Sequence, residues 1–150
     1  SSGEVEIVLL HHKGKLWVGL ASDHTDRDAE SHGVSLSKQM CDKPIGKTLW
    51  AYDDVKDHWD ALELRAVVEE DGIETVYQEG AVSGMRSPED LIRLAQTQSD
   101  FDDGVVMLCG THAVIGSLRH TDVFKMRLHD PILNRDIEHA YAAYTLPVLG

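Results

Sequence analysis

The stretch Glu4-Val5-Glu6-Ile7-Val8-Leu9-Leu10, a Lys13-Gly14 dipeptide and the run Leu16-Trp17-Val18-Gly19-Leu20 decide how this chain begins to fold. Acidic and apolar residues alternate from Glu4 to Ile7, and then the run becomes wholly apolar. Period-two alternation marks a half-buried strand, and the apolar continuation marks burial on both faces. Lys-Gly between two such runs is a turn, so residues 4–20 read as a hairpin. Further hairpin chemistry follows. Ala61 to Glu70 reads as a strand, Asp71-Gly72 as a tight turn and Ile73 to Gln78 as the antiparallel return. Val105 to Cys109 reads as a buried strand, Val123 to Leu128 alternates, and Ile137 to Tyr144 reads as a last strand. Ser87-Pro88-Glu89-Asp90 opens a helix near 88–98, with Ser at the cap, Pro in the first turn and an acidic residue three positions on. Leu91, Ile92, Leu94 and Ala95 supply its apolar stripe. Residues 31–53 read as irregular. The expected class is α+β and strand-rich, as one domain of 150 residues.

Composition narrows the function. Net charge is −12 with histidines neutral, so a nucleic-acid backbone or an anionic membrane surface would be repelled. Hydrophobic residues make up 42% of the chain, too many for a disordered one, and no apolar run approaches the roughly 18 residues of a membrane span. The start, Ser1-Ser2-Gly3-Glu4, has neither the basic flank nor the apolar core of a signal peptide. Cys41 and Cys109 form no Cys-x-x-Cys pair and are too few for a disulfide scaffold. These features point to a cytoplasmic protein.

Several constellations carry chemistry. Glu4 and Glu6 sit at strand spacing, where residues i and i+2 share a face about 7 Å apart. Two such carboxylates repel unless the face is solvated or a cation bridges them. Asp23-His24-Thr25-Asp26-Arg27-Asp28-Ala29-Glu30 follows directly on a strand, where a sheet fixes the position of loop side chains; it is either a solvated polar turn or part of a site. It does not fit the calcium loop of an EF-hand, because the turn glycine is missing and the spacing differs. The nine histidines fall in no zinc pattern. Lys38 is either a surface charge or a stabiliser of a developing oxyanion. Gly110-Thr111 is either an ordinary strand end or a grip for a carboxylate.

Taken in order, these segments resemble the fumarylacetoacetate hydrolase superfamily through nearly the whole chain. The matching segments are Glu4-Val5-Glu6 followed by Ile7-Val8, then Asp23 to Glu30 against an Asp-x-(Ser/Thr)-Ala-Arg-Asp-x-Gln pattern. Lys38-Gln39 with Pro44-Ile45-Gly46, Gln78-Glu79-Gly80 before a helix, and Cys109-Gly110-Thr111-His112 against Gly-Thr-Pro complete the series. The resemblance implies a mixed β-sheet rolled on itself, usually in homodimers. It implies that Glu4, Glu6 and Asp23 hold one Mg2+ or Mn2+. Lys38 would then add positive charge at the reacting oxygen, and Arg27 would orient an acid group. Gln78, Gly110, Thr111 and Glu30 would bind substrate. The implied activity is that of a hydrolase or lyase acting on a small 2-oxo acid or β-diketo acid, by C–C cleavage or decarboxylation through a metal-stabilised enolate. The alternative is a non-catalytic β domain that binds a small ligand or dimerises. Four departures stand out: Glu6 and Asp23 are only 17 positions apart, Asp26 replaces a small residue, Glu30 replaces Gln, and His112 replaces Pro. The resemblance also implies that residues 1–150 are a fragment lacking an amino-terminal segment with a lid and a His/Glu acid–base pair.

Overall fold

The computed structural model describes residues 1–144 together with Pro147 and Leu149. The opening hairpin forms as the alternation requires: β1 (Val5–His12) pairs antiparallel with β2 (Lys15–Ser22). Lys13 and Gly14 both adopt positive φ, 52° and 69°, the conformation that a two-residue turn between right-twisted strands demands. Asp71 and Gly72 do the same, at 52° and 76°, between the later strands. Beyond β2 come α1 (Arg27–Glu30), α2 (Val34–Gln39), β3 (Trp50–Ala51) and α3 (Tyr52–Val55). A 3-10 segment over Lys56–Ala61 leads into β4 (Glu63–Glu70) and β5 (Ile73–Ala81). Then follow α4 (Pro88–Ala95), β6 (Val106–Leu108), β7 (Val123–Asp130) and β8 (Arg135–Ala142).

The fold is strand-rich α+β, as expected. The strands divide into two four-stranded sheets, ordered β3-β2-β1-β6 and β5-β4-β7-β8, and every described pairing is antiparallel. Alternation fixes which faces meet. Val5, Ile7 and Leu9 of β1 and Val18 and Leu20 of β2 enter one core with Leu64, Ala66 and Val68 of β4 and Phe124 and Leu128 of β7, all fully buried or nearly so. Each large aliphatic side chain so removed from water stabilises the fold by about 1.5–3 kcal/mol. Glu4 and Glu6 therefore lie on the face of β1 turned away from this core.

Helix α4 forms where the cap and the proline place it. Ser87 Oγ accepts from the Asp90 N–H at 3.2 Å, and Leu91 and Ile92 pack on the core, while Leu94 stays exposed. The segment 31–53, read as irregular, instead contains α2 and the short β3. Helix α2 has no apolar face to reveal it: its buried residue is Ser37, whose hydroxyl bonds back to the Val34 carbonyl. Among the described residues no helix is long and apolar enough to cross a membrane, and both cysteines are free.

Candidate metal centre

The hairpin register builds the site. β1 and β2 pair Val5 with Ser22 and Glu6 with Ala21, and one step further the Asp23 N–H donates to the Glu4 carbonyl at 2.9 Å. Directly opposed residues of an antiparallel pair share a face, so Asp23 joins Glu4 and Glu6 on the side away from the core. The 17-position separation suffices because the connecting turn is only two residues long. One carboxylate oxygen of each of Glu4, Glu6 and Asp23 lies within 4.8 Å of the others.

Glu6 is the buried member, 4% exposed. Its Oε2 accepts from the Gly110 N–H at 2.7 Å, and Gly110 has φ 101°, a conformation that favours glycine. Burial pushes the Glu6 carboxyl up to about 7, against the pull of the Gly110 N–H and with added repulsion from Asp23 and Glu4. Basic groups crowd the other two. Lys38 Nζ, carried by α2, lies 2.9 Å from Glu4 and 2.6 Å from Asp23, and Lys43 Nζ lies 2.8 Å from the second Asp23 oxygen. Burial alone would raise the Asp23 carboxyl, but Lys38 and Lys43 outweigh it and hold it below the usual range. Burial likewise opposes the charge on Lys38, yet its bonds to Asp23 and Glu4 keep its pKa raised, so it stays an ammonium.

Arg27 has no free nitrogen: Nε donates to Ser2 Oγ at 2.6 Å, one terminal nitrogen to Glu4 at 2.8 Å and the other to Glu30 at 3.0 Å. Glu30 is thus the partner of Arg27. Gln78, fully buried, accepts from the Val5 N–H at 3.0 Å and donates to Thr111 Oγ1 and the His112 carbonyl, each at 2.7 Å. The fold thus brings Glu4, Glu6, Asp23, Lys38, Arg27 and Gly110 to one place, with Glu30, Gln78 and Thr111 one contact further out. Sequence reading missed Lys43 and Ser2. Lys43 reaches Asp23 because residues 44–45 run beside the end of β2, through the Ser22 N–H to Pro44 carbonyl bond and the Ala21–Ile45 bridge. Ser2 pairs with Thr25 and so sits beside Arg27. His24 is also buried here, its Nδ1 2.7 Å from the Tyr141 hydroxyl; burial and nearby positive charge lower its pKa to about 4, so it is neutral at physiological pH.

The donor set suits a hard divalent ion. It is all oxygen, and among the described residues the buried Glu6 carboxylate accepts from one N–H, that of Gly110. A cavity of about 430 Å³ lies elsewhere, on the outer face of the second sheet. Its cations Arg65, Lys125 and Arg127 are already paired, with Glu79, with Glu69 and Glu74, and with Asp136.

Comparison places this architecture among known folds. Crystal structures described as those of Cg1458 and of Cg1458 with inhibitor superpose with TM-scores of 0.71 and 0.68, at 18% and 17% identity. A hexagonal crystal form of 2-keto-3-deoxyarabinonate dehydratase superposes with a TM-score of 0.68 at 19% identity. Each similarity covers 91% of this chain but only 58%, 55% and 49% of those chains, so this chain spans about half their length. At such identities the likeness is one of fold. No curated protein matches the sequence. Residues 1–141 match the family described as "protein of unknown function (DUF2848)", and the chain belongs to that family.

Proposed function

We propose that this chain is the metal-binding part of an enzyme of the fumarylacetoacetate hydrolase type. The reaction is the cleavage of a C–C bond, or decarboxylation, in a small 2-oxo acid or β-diketo acid. The observation that carries this reading is the convergence of Glu4, Glu6 and Asp23 within 4.8 Å beside the ammonium of Lys38. The fold shared with 2-keto-3-deoxyarabinonate dehydratase, which by its name acts on a 2-keto acid, supports the substrate class.

Glu4, Glu6 and Asp23 would hold Mg2+ or Mn2+, which when bound supplies Lewis-acid polarisation of a substrate oxygen. Lys38 stays protonated and places a fixed positive charge where an oxygen gains negative charge as the bond breaks. Arg27 holds Glu4 in place through one nitrogen while Ser2 and Glu30 fix the other two. The Gly110 N–H orients the Glu6 carboxylate. The working assembly is a cytoplasmic homodimer, which light scattering on the purified protein would test.

A second reading has one observation in its favour. Lys38, Lys43 and Arg27 already neutralise Glu4 and Asp23, a balance that a non-catalytic binding or dimerisation domain could keep without any ion. Turnover separates the two. Oxaloacetate and an acylpyruvate are incubated with the protein in Mg2+, in Mn2+ and in chelator. The enzyme reading expects metal-dependent product formation that falls at least about a hundredfold in Glu6→Ala and Asp23→Ala. Absence of metal-dependent turnover on any 2-oxo acid, with no effect of Mn2+ on stability, would establish the binding domain instead.

A further inference from the structure

Strand β1 loses its neighbour where the site begins. Its ladder with β6 runs from Leu10 to Val8 and is prolonged by the Cys109 N–H to Ile7 carbonyl bond at 3.0 Å. Beyond that point Val5, the residue between the two glutamates, faces no strand on this side among the described residues, although it is fully buried. Two side chains take the strand's place. Gln78 Oε1, from β5 of the opposite sheet, accepts the Val5 N–H at 3.0 Å, and Thr111 Oγ1 donates to the Val5 carbonyl at 2.6 Å. Gln78 Nε2 then joins the two by donating to Thr111 Oγ1 and to the His112 carbonyl. The run 109–112 thereby tracks β1 residue by residue: Cys109 on Ile7, Gly110 on the Glu6 carboxylate, Thr111 on Val5.

We propose that Gln78 and Thr111 are positioning residues that clamp the backbone between Glu4 and Glu6 and so set the spacing of their carboxylates, rather than groups that grip a substrate. This rests on the reading of Glu4, Glu6 and Asp23 as a cation site. The donor count decides against a substrate role. Both N–H bonds of the Gln78 amide and the hydroxyl proton of Thr111 are committed within the protein. The position of Val5 between the two carboxylates gives the clamp leverage on both at once. Groups that hold metal ligands in place are worth about ten- to a hundredfold in metal affinity.

The test is a Mn2+ titration of the full chain, followed by the electron paramagnetic resonance of free Mn2+, on wild type, Thr111→Val and Thr111→Ser, with circular dichroism to score folding. Thr111→Val keeps the shape and removes the donor; Thr111→Ser keeps the donor. The clamp predicts Mn2+ binding weakened about tenfold or more in Thr111→Val and restored in Thr111→Ser. Unchanged Mn2+ affinity in folded Thr111→Val, with any loss confined to KM for a 2-oxo acid, would overturn it in favour of a substrate role. Should Thr111→Val not fold, hydrogen exchange on wild type decides: Mn2+ must slow exchange of the Val5 amide, and an unaffected amide refutes the clamp. A wild type that does not bind Mn2+ at all is a separate outcome, which overturns the cation site itself and the clamp with it.

Discussion

Replacing Glu6 by glutamine isolates the electrostatic cost built into the site. Glutamine has nearly the same shape and still offers an oxygen to the Gly110 N–H, so the change removes the ionisable group and little else. Burial raises the Glu6 carboxyl from its ordinary 4.5 to about 7 in the folded protein. At about 1.4 kcal/mol per pKa unit, this is about 3 kcal/mol of stability lost on ionisation. The sign follows from the proton count. Between pH 4.5 and pH 7 the folded state keeps the proton that the unfolded state has released, so the metal-free wild type loses stability as pH rises and levels off above pH 7. Glu6→Gln lacks this term, and carboxylates away from the site cancel in the difference between the two proteins. In chelator the variant should match wild type at pH 4.5 and exceed it by about 3 kcal/mol at pH 8, roughly 6–12 °C in Tm for a chain of this size. Urea denaturation at pH 4.5, 6, 7 and 8 measures it. A difference that does not vary with pH, or a wild type more stable than Glu6→Gln at pH 8 in chelator, would refute the picture of a buried carboxylate that ionises at a cost.

Other outcomes follow from the same structure. Lys38→Met should abolish most turnover while leaving Mn2+ binding intact or tighter, because the ammonium lies 2.9 Å and 2.6 Å from two of the three carboxylates and competes for them; weaker Mn2+ binding in this variant would contradict that arrangement. Ser87→Ala should cost about 1 kcal/mol, read by urea denaturation, because it removes the cap on the Asp90 N–H. Leu64→Ala should cost about 2–5 kcal/mol, since Leu64 is fully buried in the shared core. Burial, with the nearby Glu6 charge, pushes the Cys109 thiol up to about 12. A thiol reagent at pH 8 should therefore modify half-exposed Cys41 in the native protein and both cysteines only in denaturant.

What could be read from sequence follows the range of the interactions. The two tight hairpins and the cap of α4 depend on residues within a few positions of one another, and they form where Lys13-Gly14, Asp71-Gly72 and Ser87-Pro88 place them. Of the three carboxylates, strand spacing showed only that Glu4 and Glu6 share a face, solvated or bridged by a cation. That Asp23 joins them was implied by the resemblance alone, and the hairpin register that carries it back beside Glu4 is visible only in the folded chain. Helix α2 was not, because it buries a serine instead of an apolar stripe and so lacks the periodicity that marks a helix. The division of the strands into two sheets depends on pairings between distant segments, such as β4 with β7, and no local pattern reports them. The bonding of the second layer was hidden for the same reason. Gln78 and Val5 lie 73 positions apart, and only the folded chain shows that the amide is spent on the Val5 N–H, the Thr111 hydroxyl and the His112 carbonyl. Arg27 and Glu30 satisfy each other across one turn of α1, a pairing that their i, i+3 spacing allowed but did not single out.

The most direct test of the cation site is a crystal of this protein soaked in Mn2+ and measured at a wavelength where manganese scatters anomalously. The account predicts one anomalous peak bounded by oxygens of Glu4, Glu6 and Asp23, with the Lys38 ammonium displaced from between them. A map with no peak there, and Lys38 still bridging Glu4 and Asp23, would contradict it.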